Sequence, residues 1–424
     1  MYKGAVEVPP LLMVDDILTI SKCSTTAIAM NSTVNAFIAS KKLKLSYDKC
    51  SAIHVGKHSG SCPDLQVHGE TMHREKSTKY LGDIFHNSGK SRFNIIERCT
   101  KAYAILAEIR AILTDVPLGK YKTEVGLQLR QAMFVNGVLY NSEVWQGLRA
   151  TDLTLLENID HQLMSIICDG HSKTPVEFYY LETATQPLKS IVASRRILYL
   201  HHILSRNNEE LIRRVFNAQK DNTTPGDFLE LVKGDLANIG ETFDEKSIGS
   251  QTKTQYKNYI RKKMKLKAFE DLKTMQAGHS KIRGIKYDKF TIQEYMTSPT
   301  FTNEMVSLLF NMRCSMTRGV KCNFSSIFRG DLGCKLKCDI PEALDSQEHL
   351  NSCPRILSKM QGDQHLSFEY ADIFGSLGEQ RQAVEVLARI LEIRDQILDE
   401  SLPVGQNTGP NSTVTPPVNV VFVK

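Results

Sequence analysis

The run Leu11-Leu12-Met13-Val14-Asp15-Asp16-Ile17-Leu18-Thr19-Ile20 sets two carboxylates side by side between apolar, β-prone flanks. Flanks this short and this rich in Leu, Ile and Val read as strand, tight turn at Asp15-Asp16, strand. The pattern predicts a largely buried hairpin with two negative charges at its tip. Adjacent carboxylates repel, and one is driven toward its neutral form unless cations hold the pair. Oxygen donors of this kind suit Mg2+. In two-metal phosphoryl transfer, ions ~3.5–4 Å apart activate the attacking oxygen and stabilise the leaving one. A plainer role, capping backbone amides in a solvated turn, accounts for the same two residues.

The segments that follow narrow the choice. Residues 24–42 predict an amphipathic helix, with Ala27, Ile28, Met30, Val34, Phe37 and Ile38 on one face and Ser24 or Thr25 as its cap. Next come Leu43-Lys44-Leu45-Ser46-Tyr47-Asp48-Lys49-Cys50, predicted strands at Ala52-Ile53-His54-Val55 and Leu65-Gln66-Val67, and Lys79-Tyr80-Leu81-Gly82. In this order the landmarks resemble the palm of non-LTR (LINE-like) retrotransposon reverse transcriptases. Met13-Val14-Asp15-Asp16 is similar to their x-x-Asp-Asp motif, with Met-Val in place of the usual aromatic residue and Ala. Residues 43–50 resemble "Gly-Leu-x-Leu-Asn-x-x-Lys-Thr", with Ser46 and Cys50 replacing Asn and Thr, and 79–82 resemble the Lys-Tyr-Leu-Gly that closes the palm.

The resemblance implies that Asp15 and Asp16 are catalytic Mg2+ ligands and that Lys49 is a near-site cation assisting proton transfer. A strand-edge lysine is the plain reading of Lys49. It also implies a third aspartate, a fingers subdomain and a nucleotide grip upstream of the hairpin. Only fourteen residues precede Asp15. The expectation is therefore a C-terminal part of an RNA-directed DNA polymerase, a nucleotidyltransferase incomplete by itself, whose upstream half was lost or is supplied by another chain.

A chain of 424 residues has room for two or three domains, and 41% hydrophobic with 24% charged residues is ordinary for a globular protein. The net charge of +6 permits an RNA or DNA partner without requiring one. No apolar run approaches the ~20 residues of a membrane helix, and the N-terminus opens no signal peptide. Ten cysteines, most of them scattered, suggest reduced thiols in an intracellular protein of nucleus or cytoplasm.

Helical periodicity predicts helices at 91–114, 122–136, 152–168, 189–205 and 209–218. In the family this stretch is the thumb, and a helical bundle with a solvated face has the same periodicity. Tyr140 and Trp145 lie in a predicted core-packing segment, 137–148. Between 253 and 289, twelve Lys/Arg face three Asp/Glu, with Tyr256, Tyr259, Phe269 and Tyr287 interleaved. Arg261, Lys262, Lys263, Lys265 and Lys267 form its densest part and are candidate contacts to nucleic-acid phosphates. A solvated charged helix or an import signal has the same composition.

Cys334, Cys338, His349 and Cys353 follow the spacing Cys-x3-Cys-x10-His-x3-Cys. Two close pairs of soft donors joined by a short loop suit tetrahedral Zn2+. His349 and Cys353, at i and i+4, are predicted to share a helix face opened by Asp345 or Ser346. Gln347-Glu348-His349-Leu350-Asn351-Ser352-Cys353-Pro354, with Leu309-Phe310-Asn311-Met312-Arg313 and Asn323-Phe324 before it, resembles the C-terminal zinc-binding region of the same reverse transcriptases. That implies a knuckle gripping RNA or DNA, and a zinc staple for a small subdomain is equally compatible.

An amphipathic helix at 380–398 and a Pro- and Gly-rich tail from 402 complete the chain. The expected fold class is α+β. It comprises a partial palm at 1–90, a helical thumb-like region at 91–250, a basic connector at 251–300, a zinc-knuckle subdomain with a C-terminal helix at 301–400 and a disordered tail at 401–424. Three functional readings stand: the polymerase fragment, a non-enzymatic zinc-dependent nucleic-acid-binding protein, and a structural adaptor.

Overall fold

The computed structural model describes residues 6–55, 64–67, 69–116, 118, 121–317, 320, 333–340, 343–360 and 368–400. The tail at 401–424 and the Asn323-Phe324 segment lie outside the described residues. The chain is α+β, mostly helical with a few short strands, and divides into two compact units, Met1–Ser307 and Leu308–Lys424.

The first unit opens with β1 (Leu11–Met13) antiparallel to β2 (Asp16–Leu18), pairing Leu11 with Leu18, Leu12 with Ile17 and Met13 with Asp16. The hairpin departs from the expected one in two respects. Its turn consists of Val14 and Asp15, with Asp16 already in the strand, and Val14 adopts a φ of 56°. Nor is it buried: Leu12, Met13 and Val14 are 64%, 54% and 98% exposed. The physical reason is that each sheet among the described residues has only two strands. An isolated hairpin has no third strand and no second layer to cover its apolar face.

The helix α1 (Ser24–Ser40) is present, yet of its expected buried face only Ile38 is enclosed, while Ile28 and Phe37 are exposed. Cys23, not Ser24 or Thr25, stands at its N-cap position, with no side-chain cap. What holds α1 is polar: Asn31 and Asn35, one turn apart, both donate to the Gln66 carbonyl at 2.9 and 2.8 Å. Gln66 opens β4 (Gln66–Val67), which pairs with β5 (Glu70–Thr71). The strand expected at 52–55 shortens to β3 (Ser51–Ala52), parallel to β6 (His73–Arg74).

β7 (Ser77–Tyr80) and β8 (Asp83–His86) form the best-anchored hairpin of this region. Leu81 and Gly82 fill its two-residue turn at φ of 49° and 83°. Positive φ at both central residues matches the twist of antiparallel strands, and glycine meets that demand without strain. A Cβ on Gly82 would lie 3.4 Å from the Tyr140 ring. Asn94 and Arg98 of α2 (Arg92–Asp115) reach the hairpin: Ile84 N–H donates to Asn94 Oδ1 at 2.6 Å, and Arg98 donates to the Gly82 carbonyl at 2.8 Å. Asn141 Nδ2 completes the junction on Asp83 Oδ2, at 2.6 Å.

The core of the unit is helical. α2 packs along α5 (Ala150–Ile167), and α3 (Lys122–Leu129) continues through a π-helical turn, Arg130–Val135, into α4 (Asn136–Val138). Trp145 is buried as expected, whereas Tyr140 keeps an exposed edge. α6 (Val176–Thr183) escapes prediction because its residues 177–183 are buried all round, which leaves no polar face to give a period. α7 (Leu188–Leu204), α8 (Leu211–Lys220), α9 (Phe228–Asn238) and α11 (Lys253–Ala277) share a second cluster, with Leu200, Phe216, Val232 and Ile260 inside it and α10 (Glu245–Ser250) adding Ile248.

Two buried carboxylates lock these helices. Arg130 Nε and Nη2 donate to Asp160 at 2.7 and 2.6 Å, and Tyr180 O–H donates to the same carboxylate at 2.9 Å. Burial, then the Asp160 charge, push the Tyr180 phenol well up. Glu182 on α6 accepts from the Tyr287 and Tyr295 hydroxyls at 2.5 and 2.7 Å, tying down the segment after α11.

The second unit takes in the end of α12 (Asn303–Arg313), then α13 (Gln347–Ser352), α14 (Pro354–Lys359) and α15 (Leu377–Glu400). Arg313 donates to the Ile373 carbonyl at 2.8 Å, its guanidinium lying 4.9 Å from the Phe374 ring centre. Among the described residues no helix is long and apolar enough to cross a membrane.

Removing one member of a buried, hydrogen-bonded ion pair strands the other. Arg130→Met is therefore expected to destabilise the first unit by about 3–5 kcal/mol. The double substitution Arg130→Met, Asp160→Leu is expected to recover most of that loss, and urea unfolding followed by tryptophan fluorescence at Trp145 measures both.

Candidate metal centre

Cys334, Cys338, His349 and Cys353 converge so that one ligand atom from each lies within 4.8 Å of all the others. Cys334 Sγ and Cys353 Sγ are 4.0 Å apart, and Cys338 Sγ and His349 Nε2 are 3.4 Å apart. Donors arranged tetrahedrally at ~2.0–2.3 Å from one ion stand about 3.5–3.8 Å from each other, so this cluster closes on a metal with only small movement.

Backbone hydrogen bonds build the cage. Gly333 bridges to Leu344, and Cys334 N–H donates to the Ala343 carbonyl at 2.8 Å, laying the first thiol beside the segment that leads into α13. The chain then reverses: Lys337 N–H returns to the Cys334 carbonyl at 2.9 Å, and Lys337 itself takes a φ of 48°. That reversal turns Cys338 back toward Cys334. On the other side Ser346 Oγ accepts the His349 N–H at 3.1 Å and caps α13. Of the two residues expected to open this helix, Ser346 is the one that does.

Cys353 differs from its expected place on the face of α13. It sits between α13 and α14, with φ −68° and ψ 117°. Pro354 is the cause, since the proline ring excludes the helical conformation from the residue before it and favours the first turn of the next helix. The break swings Cys353 toward Cys334, where a continuous helix would hold it directly above His349. Burial pushes the Cys353 thiol up to about 11, aided by Cys334 and opposed by the N–H groups of Arg355 and Ile356. Arg355, not anticipated from sequence, donates to the Leu336 carbonyl inside the Cys334–Cys338 loop and braces it. The remaining described cysteines stay apart from the cluster; Cys314 is buried with its thiol toward the Asn311 carbonyl.

The other predicted residues are dispersed. Asp15 and Asp16 are exposed at the tip of the β1–β2 hairpin, and Lys49 is exposed at the end of the short 3-10 turn Tyr47–Lys49. Among the described residues no hydrogen bond or ion pair joins Lys49 to either aspartate. Nor does a third carboxylate complete a metal cluster with them.

α11 sorts the basic run. Tyr256, Ile260, Met264, Ala268 and Leu272, four residues apart, form the buried stripe of α11, which packs against α7 and α6. Lys263 is engaged by Glu241 at 2.9 Å and Lys267 by Asp271 at 2.7 Å. Arg261, Lys262 and Lys265 are exposed and carry no ion pair among the described residues; Lys265 lies 5.6 Å over the Phe290 ring, which stacks on Phe269.

Because three thiols must lose protons to bind a metal, the metal-free chain holds more protons than the loaded one, and affinity rises with pH. Co2+ titrations between pH 6 and 8 are expected to show release of about three protons per ion, one from each thiol. A chelator is expected to open the three thiols, Cys334, Cys338 and Cys353, to alkylation and to lower the thermal midpoint.

Compared with protein-family models, with curated proteins and with solved structures, the chain has no significant match.

Proposed function

We propose that this chain is a zinc-dependent nucleic-acid-binding protein. The observation that carries the reading is the convergence of Cys334, Cys338, His349 and Cys353 within 4.8 Å. A donor set of three thiolates and one imidazole, with all four positions from protein, belongs to a closed structural Zn2+ site and leaves no position open for catalysis. Bound zinc would fix the two short helices α13 and α14 against the Cys334–Cys338 loop. The basic outer face of α11, through Arg261, Lys262 and Lys265, supplies the phosphate contacts in this reading.

The sequence resemblance to the C-terminal part of non-LTR retrotransposon reverse transcriptases agrees with a nucleic-acid role, and a polymerase-derived palm is the second reading. One observation favours it: Asp15 occupies the tip of a two-residue turn between paired strands, with Asp16 beside it. Two carboxylates fit a partial Mg2+ ligand set and not a complete one. Asp15, Asp16 and Lys49 would serve polymerisation only with further strands beside β1 and β2 that bring another carboxylate. In that reading the exposed Leu12, Met13 and Val14 are the surface on which those strands lie.

Binding is measured by fluorescence anisotropy on labelled single-stranded RNA and on duplex DNA. For the duplex, the triple substitution of Arg261, Lys262 and Lys265 to Ala is expected to weaken binding and to reduce the salt slope by about 2–3, close to 0.9 for each phosphate left without its cation. Lys263→Ala with Lys267→Ala is expected to change it little. Primer extension with Mg2+ is expected to be absent both in the unsubstituted chain and in the Asp15→Ala, Asp16→Ala variant. Extension abolished by that variant would establish the second reading, and salt-independent or undetectable binding would remove the first.

A further inference from the structure

The helix α15 carries a single charge into its own buried stripe. Ala383, Val384, Leu387, Ile390, Ile393 and Ile397 face inward, and Arg394 lies among them, 2% exposed. Its Nη2 donates to both oxygens of Asp345, at 2.7 and 2.9 Å, and the two side chains are 3% and 2% exposed. A pair so deeply enclosed gives up the hydration of both charges, and apolar residues of similar volume commonly serve stability as well or better. What the pair does provide is a fixed point.

The position of Asp345 shows what is fixed. Leu344, just before it, bridges to Gly333 beside Cys334, and Ala343 accepts the Cys334 N–H. Ser346, just after it, caps the helix that bears His349. Gln347 then reaches the Met312 carbonyl at 3.2 Å and accepts from Thr317, anchoring the start of α13 to the end of α12. Residues 343–347 thus join the first thiol to the imidazole, and Arg394 clasps the middle of that joint from a helix that supplies no ligand. Two donor pairs brought together from separate segments need such support, since each must be held within about half an ångström of its working place.

We propose that Arg394 is a positioning residue for the metal centre, acting through Asp345 to hold the Cys334 and His349 arms at binding distance. The proposal rests on the reading of the cluster as a metal site. Its action resembles that of outer-shell partners elsewhere, whose loss lowers metal affinity roughly 10- to 100-fold.

The test uses the full-length chain and Co2+, whose visible ligand-field bands report tetrahedral sulfur and nitrogen ligation, with Zn2+ affinity from chelator competition. Arg394→Met is expected to lower both affinities about tenfold or more and to shift the Co2+ band, a change that lost stability alone would not produce. Arg394→Lys, which keeps the charge but not the two-oxygen grip, is expected to recover part of the loss. Arg381→Ala, which removes only an exposed pair with Glu385 on the same helix, is expected to bind as the unsubstituted chain does. Unchanged affinity and band in Arg394→Met would overturn the positioning role and leave the metal site standing. Absence of a Co2+ band in the unsubstituted chain would remove the metal reading and this role with it. If Arg394→Met proves too unstable to purify, the neutral pair Asp345→Asn, Arg394→Gln makes the same comparison: weakened metal binding with retained helix content supports the role, and full affinity overturns it.

Discussion

Four side chains from separate turns, three thiols and an imidazole, meet within 4.8 Å, and the architecture around them in the C-terminal unit follows from that meeting. α13 and α14 have six residues each, too few to persist by helix propensity alone. The loop between Cys334 and Cys338 is short, held by hydrogen bonds from the Cys334 N–H to Ala343, from the Lys337 N–H to Cys334 and from Arg355 to Leu336. Such pieces need a cross-link or a large core. With an ion between them the donors would form the cross-link, while Asp345 and Gln347 tie their segment to the longer helices α15 and α12. A metal ion there would add coordinate bonds to the apolar core that Leu350, Ile356, Leu387 and Ile390 supply.

The N-terminal unit solves the problem of stability in the opposite way at its two ends. Its helices bury Trp145, Phe178, Tyr179 and many aliphatic side chains, with Arg130–Asp160 and Glu182 as polar locks inside. Residues 6–90 do otherwise. Within them only Ile38 and Val67 are buried among the described residues; polar contacts hold the short sheets, with Asn31 and Asn35 on Gln66 inside the region and Arg98 on Gly82 joining it to α2. The β7–β8 hairpin is the firm end of this region because a glycine turn fits against Tyr140. The β1–β2 hairpin is the open end.

Much of this was legible in the sequence, for identifiable reasons. α2 and α15 announce themselves through long apolar periods, and the ligand spacing identifies all four members of the cluster because short Cys-x3-Cys and His-x3-Cys pairs each bring two donors to one side. The exposure of β1–β2 was not legible. An apolar strand pattern states which face seeks cover and is silent about what covers it, so the same ten residues fit a buried or an open hairpin. The continuous helix expected through Cys353 overlooked Pro354, which the sequence displayed. Lys263 looked equivalent to Arg261 and Lys262 because its pairing with Glu241, from the connection between α9 and α10, is not a local property, whereas Lys267 with Asp271 four residues on is a local pair that the sequence displays. Arg394 gave a signal that was missed, a lone cation at a core position of an otherwise apolar stripe.

Zinc K-edge absorption on the purified full-length chain, with metal quantified on the same sample, reads the proposed centre itself. One zinc per chain is expected, with three sulfur ligands at about 2.3 Å and one nitrogen at about 2.0–2.1 Å. A chain that holds no zinc after purification and reconstitution, or zinc bound mainly through oxygen, would refute the metal centre and the function built on it.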